Sequence, residues 1–248
     1  MKGWEDVHIG TSGWHYDHWL GPFYPQPLAK KKEDLLAYYA EHFHTVEINN
    51  SFYQLPQKKT LETWRDTVPS GFLFAVKGSR YITHMKKLKD AQGPLSTFLK
   101  RVEVLQDKLG PILFQLPPQW KFNPERFYDF LETLPGEHTY AFEFRNRDWH
   151  NDETYDALRM MGASFCIYEL DGYLSPKAIT SNVVYIRLHG PGSAYEGRYD
   201  RTTLGGWAGS FSTWTDQGLE IFCYFDNDQA GYAARNALEL QEMVERGR

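Results

Sequence analysis

Eight stretches of the chain alternate apolar and polar residues with a period of two, and apolar residues at helical spacing fill most of the intervals between them. A strand sends successive side chains to opposite faces, whereas a helix gathers positions i, i+3, i+4 and i+7 on one side. The pattern predicts strands at residues 7–14, 45–49, 71–79, 110–118, 139–145, 164–170, 183–190 and 220–228. It predicts helices near 31–43, 58–67, 94–109, 124–134, 152–161, 202–215 and 230–245, with a poor sixth signal around 175–179. In the third helix Leu95, Phe98, Leu99, Val102, Leu105 and Leu109 form one stripe. Eight strand–helix units in 248 residues match a TIM-type (β/α)8 barrel. A doubly wound open sheet also alternates, but with fewer strands and a Gly-rich first turn. No internal repeat, linker or low-complexity stretch divides the chain. The expectation is an α/β fold, a single-domain barrel over residues 1–248 that is irregular around its sixth helix.

The same period sorts polar side chains onto one face of nearly every strand. Strand one points Gly10, Ser12 and Trp14 away from Ile9 and Thr11, and strand two points Thr45, Glu47 and Asn49 away from Val46 and Ile48. Strand three sets Ala75 and Lys77 against Phe74 and Val76, and strand four sets Gln115 against Phe114 and Leu116. Strand five contributes Glu143 and Arg145, and strand seven Tyr185, Arg187 and His189. Strand eight contributes Tyr224, Asp226 and Asp228, or Asn227 in the opposite phase. The polar members gather at the C-terminal ends of the strands, the rim where barrel enzymes build their sites. An unpaired buried charge costs several kcal/mol. Glu47, Glu143, Asp226, Lys77, Arg145 and Arg187 are therefore expected to neutralise one another, to meet a ligand, or both.

The loops after these strands are rich in aromatic and cationic residues. Trp14, His15, Tyr16, His18 and Trp19 follow strand one, and Tyr53 follows strand two. Arg80, His84, Lys86, Lys87 and Lys89 follow strand three, Trp120 strand four, Trp149 strand five, and Tyr195, Arg198 and Tyr199 strand seven. Aromatic surface beside cations suits a sugar, a nucleobase or an anionic metabolite. The last helix is expected to begin just after strand eight, where its free N–H groups would face the rim and Arg187 and Arg198 would complete an anion cradle. Plain capping by Asn227 or Asp228 would look the same in sequence. Glu47, Glu143, Asp226, His84 and His189 are acceptable metal ligands, but no CxxC, HExxH or EF-hand spacing orders them. Walker, GxGxxG and GxSxG motifs are absent, which counts against P-loop hydrolysis, a Rossmann site and a hydrolase elbow.

Composition narrows the class. Hydrophobic residues at 42% and charged residues at 24% describe an ordinary globular chain. A formal net charge of -5 argues against a general nucleic-acid or membrane-surface binder and leaves room for a local basic patch. No apolar run approaches the roughly 18 residues of a membrane span, and residues 1–10 lack the apolar core of a signal peptide. Cys166 and Cys223 fall in apolar strands and read as small buried residues rather than a disulfide framework. The expected location is the cytoplasm.

The blocks "IGTSGWHYDHW", "TVEINNSFYQLP", "FAVKGSRYITH", "LGPILFQLPP", "FEFRNRDW", "YIRLHGPG" and "YFDNDQAGYAARNALEL" resemble the YecE-like family, known as domain of unknown function 72 (DUF72), from about residue 9 to residue 240. The resemblance implies a TIM-type barrel. It places family motif positions at Gly10, Ser12, Gly13, Trp14, Glu47, Asn49, Phe52, Tyr53, Lys77, His84, Gln115, Glu143, Arg145, Trp149, Arg187, His189, Gly190 and Asn227. Asp226 departs from the pattern, where the family more often has an amide, and a carboxylate there favours a cation over an anion. No reaction comes with the family.

Three functions fit these residues. The favoured one is an enzyme acting by acid/base chemistry on a small polar substrate, anionic or sugar-like, at the C-terminal face, with no cofactor assigned. Glu143, His189, Lys77 and Glu47 are its expected catalytic groups, with Glu143 raised towards neutral pKa and Lys77 also able to form a Schiff base. Ser12, Trp14, Asn49, Tyr53, His84, Gln115, Arg145, Trp149, Arg187, Tyr195, Asp226 and Asn227 are its expected substrate contacts. On this reading Glu143→Gln folds normally and loses turnover. The second, by fold analogy with endonuclease IV-type barrels, is a divalent-metal hydrolase or isomerase or a DNA-damage binder. It would hold metal on Glu143, Asp226, His189 and Glu47 and contact phosphates through residues 80–89. The third is a non-catalytic binding module in which Trp14 and Trp149 matter more than Glu143.

Overall fold

The computed structural model describes residues 6–26 and 32–247. Residues 1–5, half of the stretch read for a signal peptide, and Lys31, the expected start of the first helix, lie outside the described residues.

The strands are β1 (Val7–Thr11), β2 (Thr45–Ile48), β3 (Leu73–Lys77), β4 (Leu109–Leu116), β5 (Tyr140–Phe144), β6 (Ser164–Leu170), β7 (Tyr173–Leu174), β8 (Val183–Leu188) and β9 (Glu220–Phe225). All but β7 pair in parallel, in the order β1-β9-β8-β6-β5-β4-β3-β2. The helices are α1 (Lys32–Ala40), α2 (Lys58–Thr67), α3 (Gln92–Val102), α4 (Pro124–Leu131), α5 (Asp152–Met161), α6 (Arg201–Asp216) and α7 (Tyr232–Arg246). The stripe expected for the third helix continues past α3 as a tighter turn, Glu103–Lys108, broken by Gln106 at φ 56°. The result is a single-domain, TIM-type barrel with its helices outside.

The sixth position has no helix among the described residues. The chain turns back through Asp171 and Gly172, both at positive φ, and pairs antiparallel with β6 as β7. Pro176 then removes one N–H and disfavours a helical Ser175. The Ser175 hydroxyl accepts from the Tyr168 N–H (2.9 Å) and the Thr180 hydroxyl accepts from the Phe165 N–H (2.7 Å). Side chains thus sew this segment to β6 where a helix would otherwise lie.

The ring closes weakly between β1 and β2. One bridge joins Ser12 to Glu47, and the Gly13 N–H donates to the Glu47 carbonyl at 2.9 Å. From α1, the Tyr39 hydroxyl fills the gap. It accepts from the Thr11 N–H (3.0 Å) and donates to the Thr45 carbonyl (3.1 Å). Gly10 is required here, because a Cβ would stand 2.3 Å from the Thr45 carbonyl oxygen.

The outward faces of the strands pack on the helices through residues such as Ile9, Val46, Phe74, Phe114, Phe142 and Ile186. Inside, Ala75, Leu113, Ala141, Cys166, Tyr185, Phe222 and Tyr224 form a closed apolar floor, as expected of a packed barrel rather than a pore. Cys166 and Cys223 are both buried free thiols. Among the described residues no helix is long and apolar enough to cross a membrane.

Candidate active site

Immediately above the apolar floor lies a layer of buried ions, brought to one height by strand register. Ser12 bridges to Glu47, Gln115 is registered with Glu143, and Arg187 follows Tyr185 by one period of the strand. Arg187 is the hub. Its Nη2 donates to Glu47 Oε1 (2.8 Å) and Asp226 Oδ2 (3.1 Å), its Nε to Glu47 Oε2 (3.0 Å), and its Nη1 to Glu143 Oε2 (2.8 Å). Ser12 donates to Glu47 Oε1 (2.5 Å) and Tyr185 donates to Glu47 Oε2 (2.7 Å). Arg145 Nε pairs with Glu143 Oε1. Three carboxylates thus face two guanidiniums and the nearby Lys77.

This arrangement runs against the expectation that the Glu143 carboxyl is raised towards neutrality. Burial alone raises the Glu143 carboxyl, but Arg145 and Arg187, helped by His189 and Lys77, outweigh it and hold the group well below the usual carboxylate range. It is a fixed anion, not a proton donor poised near neutrality. His189 falls from 6.5 to about 4, first through burial and then through Arg187, against the pull of its bond to Asp226. Its Nδ1 lies 2.9 Å from Asp226 Oδ2, and its Nε2 lies 3.0 Å from Arg145 Nη2 and 3.3 Å from Arg187 Nη1. A neutral ring satisfies these neighbours when Nδ1 carries the proton and Nε2 accepts from the guanidiniums. The Nε2 lone pair is then already engaged.

Lys77 differs from the other mouth cations. It is buried at the end of β3, its Nζ lies 4.4 Å from the centre of the Phe52 ring, and among the described residues it forms no ion pair or side-chain hydrogen bond. Burial, then Arg187, draws its ammonium from 10.5 down to about 8 against the attraction of Glu143, Glu47 and Asp226. His84 stands edge-on to Phe52, and burial with Lys77 and Arg80 lowers it to about 4. Arg145 keeps Nη1 without a partner among the described residues, since Nε and Nη2 serve Glu143 and His189. Tyr195, 45% exposed at φ 65°, sets its ring against His189 at 5.5 Å.

Beside this mouth a cleft of about 330 Å³ opens between the loops after β1 and β2. Trp14, Tyr16, Asn49, Tyr53 and Trp64 of α2 are among its lining residues. Two expected contacts lie elsewhere. Trp149 is fully buried behind β5, with its Nε1 donating to the Trp120 carbonyl (2.8 Å) and its ring against Phe122, Phe127 and Phe144. Asn227 ties loops together, its Nδ2 donating to the Gly197 carbonyl (2.8 Å) and to Asn236 Oδ1 (3.0 Å). The anion cradle does not assemble either: Arg187 lies below the rim among carboxylates, and Arg198 pairs with Glu239. Nor do three of the His, Cys, Asp and Glu side chains come together as a metal site among the described residues. Glu47, Glu143 and Asp226 each turn an oxygen to Arg187.

Sequence reasoning missed Tyr185 as a donor to Glu47, although it shares the phase of Arg187. It also missed Trp64, a half-buried helix residue with no signal of its own.

Comparison with known proteins agrees with this architecture. The chain is 26% identical to the UPF0759 protein YunF of Bacillus subtilis, over 96% of this chain and 95% of that one. It is 29% identical to the UPF0759 protein YecE of Escherichia coli K12, over 56% of this chain and 48% of that one. The crystal structure of a DUF72 family protein from Thermotoga maritima superposes with a TM-score of 0.87 at 29% identity, covering 96% of this chain and 99% of that one. A DUF72 family protein from Enterococcus faecalis shares the fold, with a TM-score of 0.81 at 18% identity, covering 96% of this chain and 95% of that one. A family model described as "Protein of unknown function DUF72" matches residues 8–248, and the chain belongs to that family.

Proposed function

We propose that the protein is a metal-independent enzyme whose reacting group is the Lys77 amine and whose substrate is a small polar carbonyl compound, anionic or sugar-like. The carrying observation is that Lys77 is held buried at the barrel mouth with no carboxylate or other acceptor bound to its Nζ. A lysine whose ammonium is drawn towards neutrality supplies free amine at physiological pH. The amine attacks the carbonyl carbon and forms a C–N bond while the carbonyl electron pair moves to oxygen. Both amine protons end on that oxygen, which departs as water and leaves an imine. Protonation of the imine gives an electron sink for breaking a neighbouring C–H or C–C bond. Arg145 Nη1 is placed to hold an anionic group, while Glu143, His189, Glu47 and Asp226 act as positioning residues that fix the two guanidiniums.

A second reading, a binding module without chemistry, is favoured by one observation: each mouth carboxylate is already engaged by a guanidinium. Reductive trapping separates the two. The protein is incubated with pyruvate, glyoxylate or glyceraldehyde 3-phosphate and sodium cyanoborohydride, then mapped by peptide mass spectrometry. Preferential adduct formation at Lys77, lost in Lys77→Met, supports the enzyme. Adducts spread evenly over surface lysines and unchanged in Lys77→Met would leave the binding module.

A further inference from the structure

We infer that the cleft beside the mouth is a second binding subsite, built for a planar heteroaromatic ring with a hydrogen-bonding edge, as in a nucleobase. The inference extends the Lys77 reading by naming the part of the ligand that anchors it. Four aromatic side chains, Trp14, Tyr16, Tyr53 and Trp64, line the cleft, and its volume of about 330 Å³ falls in the range of small-molecule sites. Trp14 and Trp64 meet edge to face at 4.9 Å, which fixes both rings. Tyr53 is 71% exposed, so its ring is not held in the core, and the Arg80 guanidinium lies over it 5.9 Å from its centre.

His15, Asn49 and Asn50 are the polar side chains of this wall besides the Tyr16 and Tyr53 hydroxyls, and Asn49 stands apart from the others. Its Oδ1 is buried with no hydrogen-bond partner, and its amide makes no side-chain hydrogen bond among the described residues. A buried unpaired acceptor is unfavourable, so a donor supplied by a ligand would complete it. A turn of the amide that brings Oδ1 to the cleft beside Nδ2 would present an acceptor and a donor side by side, complementary to the donor–acceptor edge of a base such as adenine. A pyranose would need several polar partners, whereas a flat ring is satisfied by stacking and one such edge. The cleft also leads to the reacting group. Ile48 is registered with Val76, so Asn49 and Lys77 leave adjacent strands at the same height. Ser51 links the two strand ends by donating to the carbonyls of Ile48 (2.9 Å) and Lys77 (2.6 Å).

Saturation-transfer NMR with adenosine, and with methyl α-glucoside as the competing class, tests the assignment. Adenosine ring protons are expected to receive saturation from the wild-type protein. Affinity is expected to fall about tenfold or more in Asn49→Leu, as loss of a paired base edge would give, and in Tyr53→Ala. Thermal melting of both variants checks that they fold. No transfer to adenosine, stronger transfer to the glucoside, or undiminished adenosine binding in either variant would overturn the inference. This titration needs no reaction at Lys77, so it and the trapping experiment fail independently.

Discussion

Arg187 lies edge-on against Glu47, with Nη2 2.8 Å from Oε1 and Nε 3.0 Å from Oε2, and both side chains are fully buried. This fork joins β8 to β2 across the barrel axis. Lysine cannot reproduce it, since an ammonium offers a point charge and not two parallel donors. Arg187→Lys is expected to lose about 3–5 kcal/mol, the scale of breaking a buried pair. Urea unfolding monitored by circular dichroism measures it. A loss under about 1 kcal/mol would mean that the layer repacks around the smaller cation.

Glu143→Gln is expected to be destabilised by a similar amount, about 3–5 kcal/mol, because it leaves Arg145 and Arg187 short of a shared buried anion. This reverses the expectation from sequence that the variant folds normally. An unfolding midpoint equal to that of the wild type would restore Glu143 as a replaceable site residue.

His189 is expected to stay neutral, with its proton on Nδ1, down to about pH 4. The unfolded ring takes its proton near 6.5, above the folded value. Stability from this group is therefore complete above pH 6.5 and falls as pH drops towards 4. Nitrogen-15 NMR of the imidazole reads both tautomer and titration. A midpoint near 6.5 would show that the guanidiniums do not govern the ring.

Lys77 carries the same kind of dependence on the alkaline side. Its folded value of about 8 lies below 10.5, so the unfolded chain binds the extra proton between these values and stability rises with pH across that window. Lys77→Met is accordingly expected to be more stable than the wild type at pH 7, by at most on the order of 3 kcal/mol. That advantage should fade between pH 8 and 10.5. Imine trapping by the wild type should accelerate as pH passes about 8. A trapping rate that rises only near pH 10 would indicate an ordinary surface amine.

Strand phase alone is enough to place Ser12, Glu47, Lys77, Glu143 and Arg187 on one inward face, whereas on the last strand it leaves Asp226 and Asn227 as alternatives. It could not say which charges satisfy one another. Sequence spacing shows the burial of Glu143, which suggests a tunable acid, but not the two guanidiniums that reach it, one from just past the end of β5 and one from β8. Trp149 follows the same strand as Arg145, yet its turn, Arg147–Trp149, folds outward onto α4. Ring direction after a strand end is set by loop conformation, which has no period to read. The weak sixth helix was legible as weakness. Its replacement by β7 and the Ser175 and Thr180 hydroxyls was not, since it depends on backbone groups of β6 that only the folded sheet leaves unpaired.

The near-open junction between β1 and β2 governs the order in which this chain can be finished. β1 holds a ladder of registered positions from Val7↔Ile221 to Thr11↔Phe225 with β9, yet only one bridge with β2. During synthesis β1 therefore waits for its ladder partner until nearly the whole barrel has emerged. Such a long-range join comes late and slowly. Ser12 and Glu47 sit on the two sides of that junction and Arg187 reaches both. The first and last strands of the barrel must therefore meet before the ion layer is complete, so that the charge pairing at the mouth and closure of the ring arrive together.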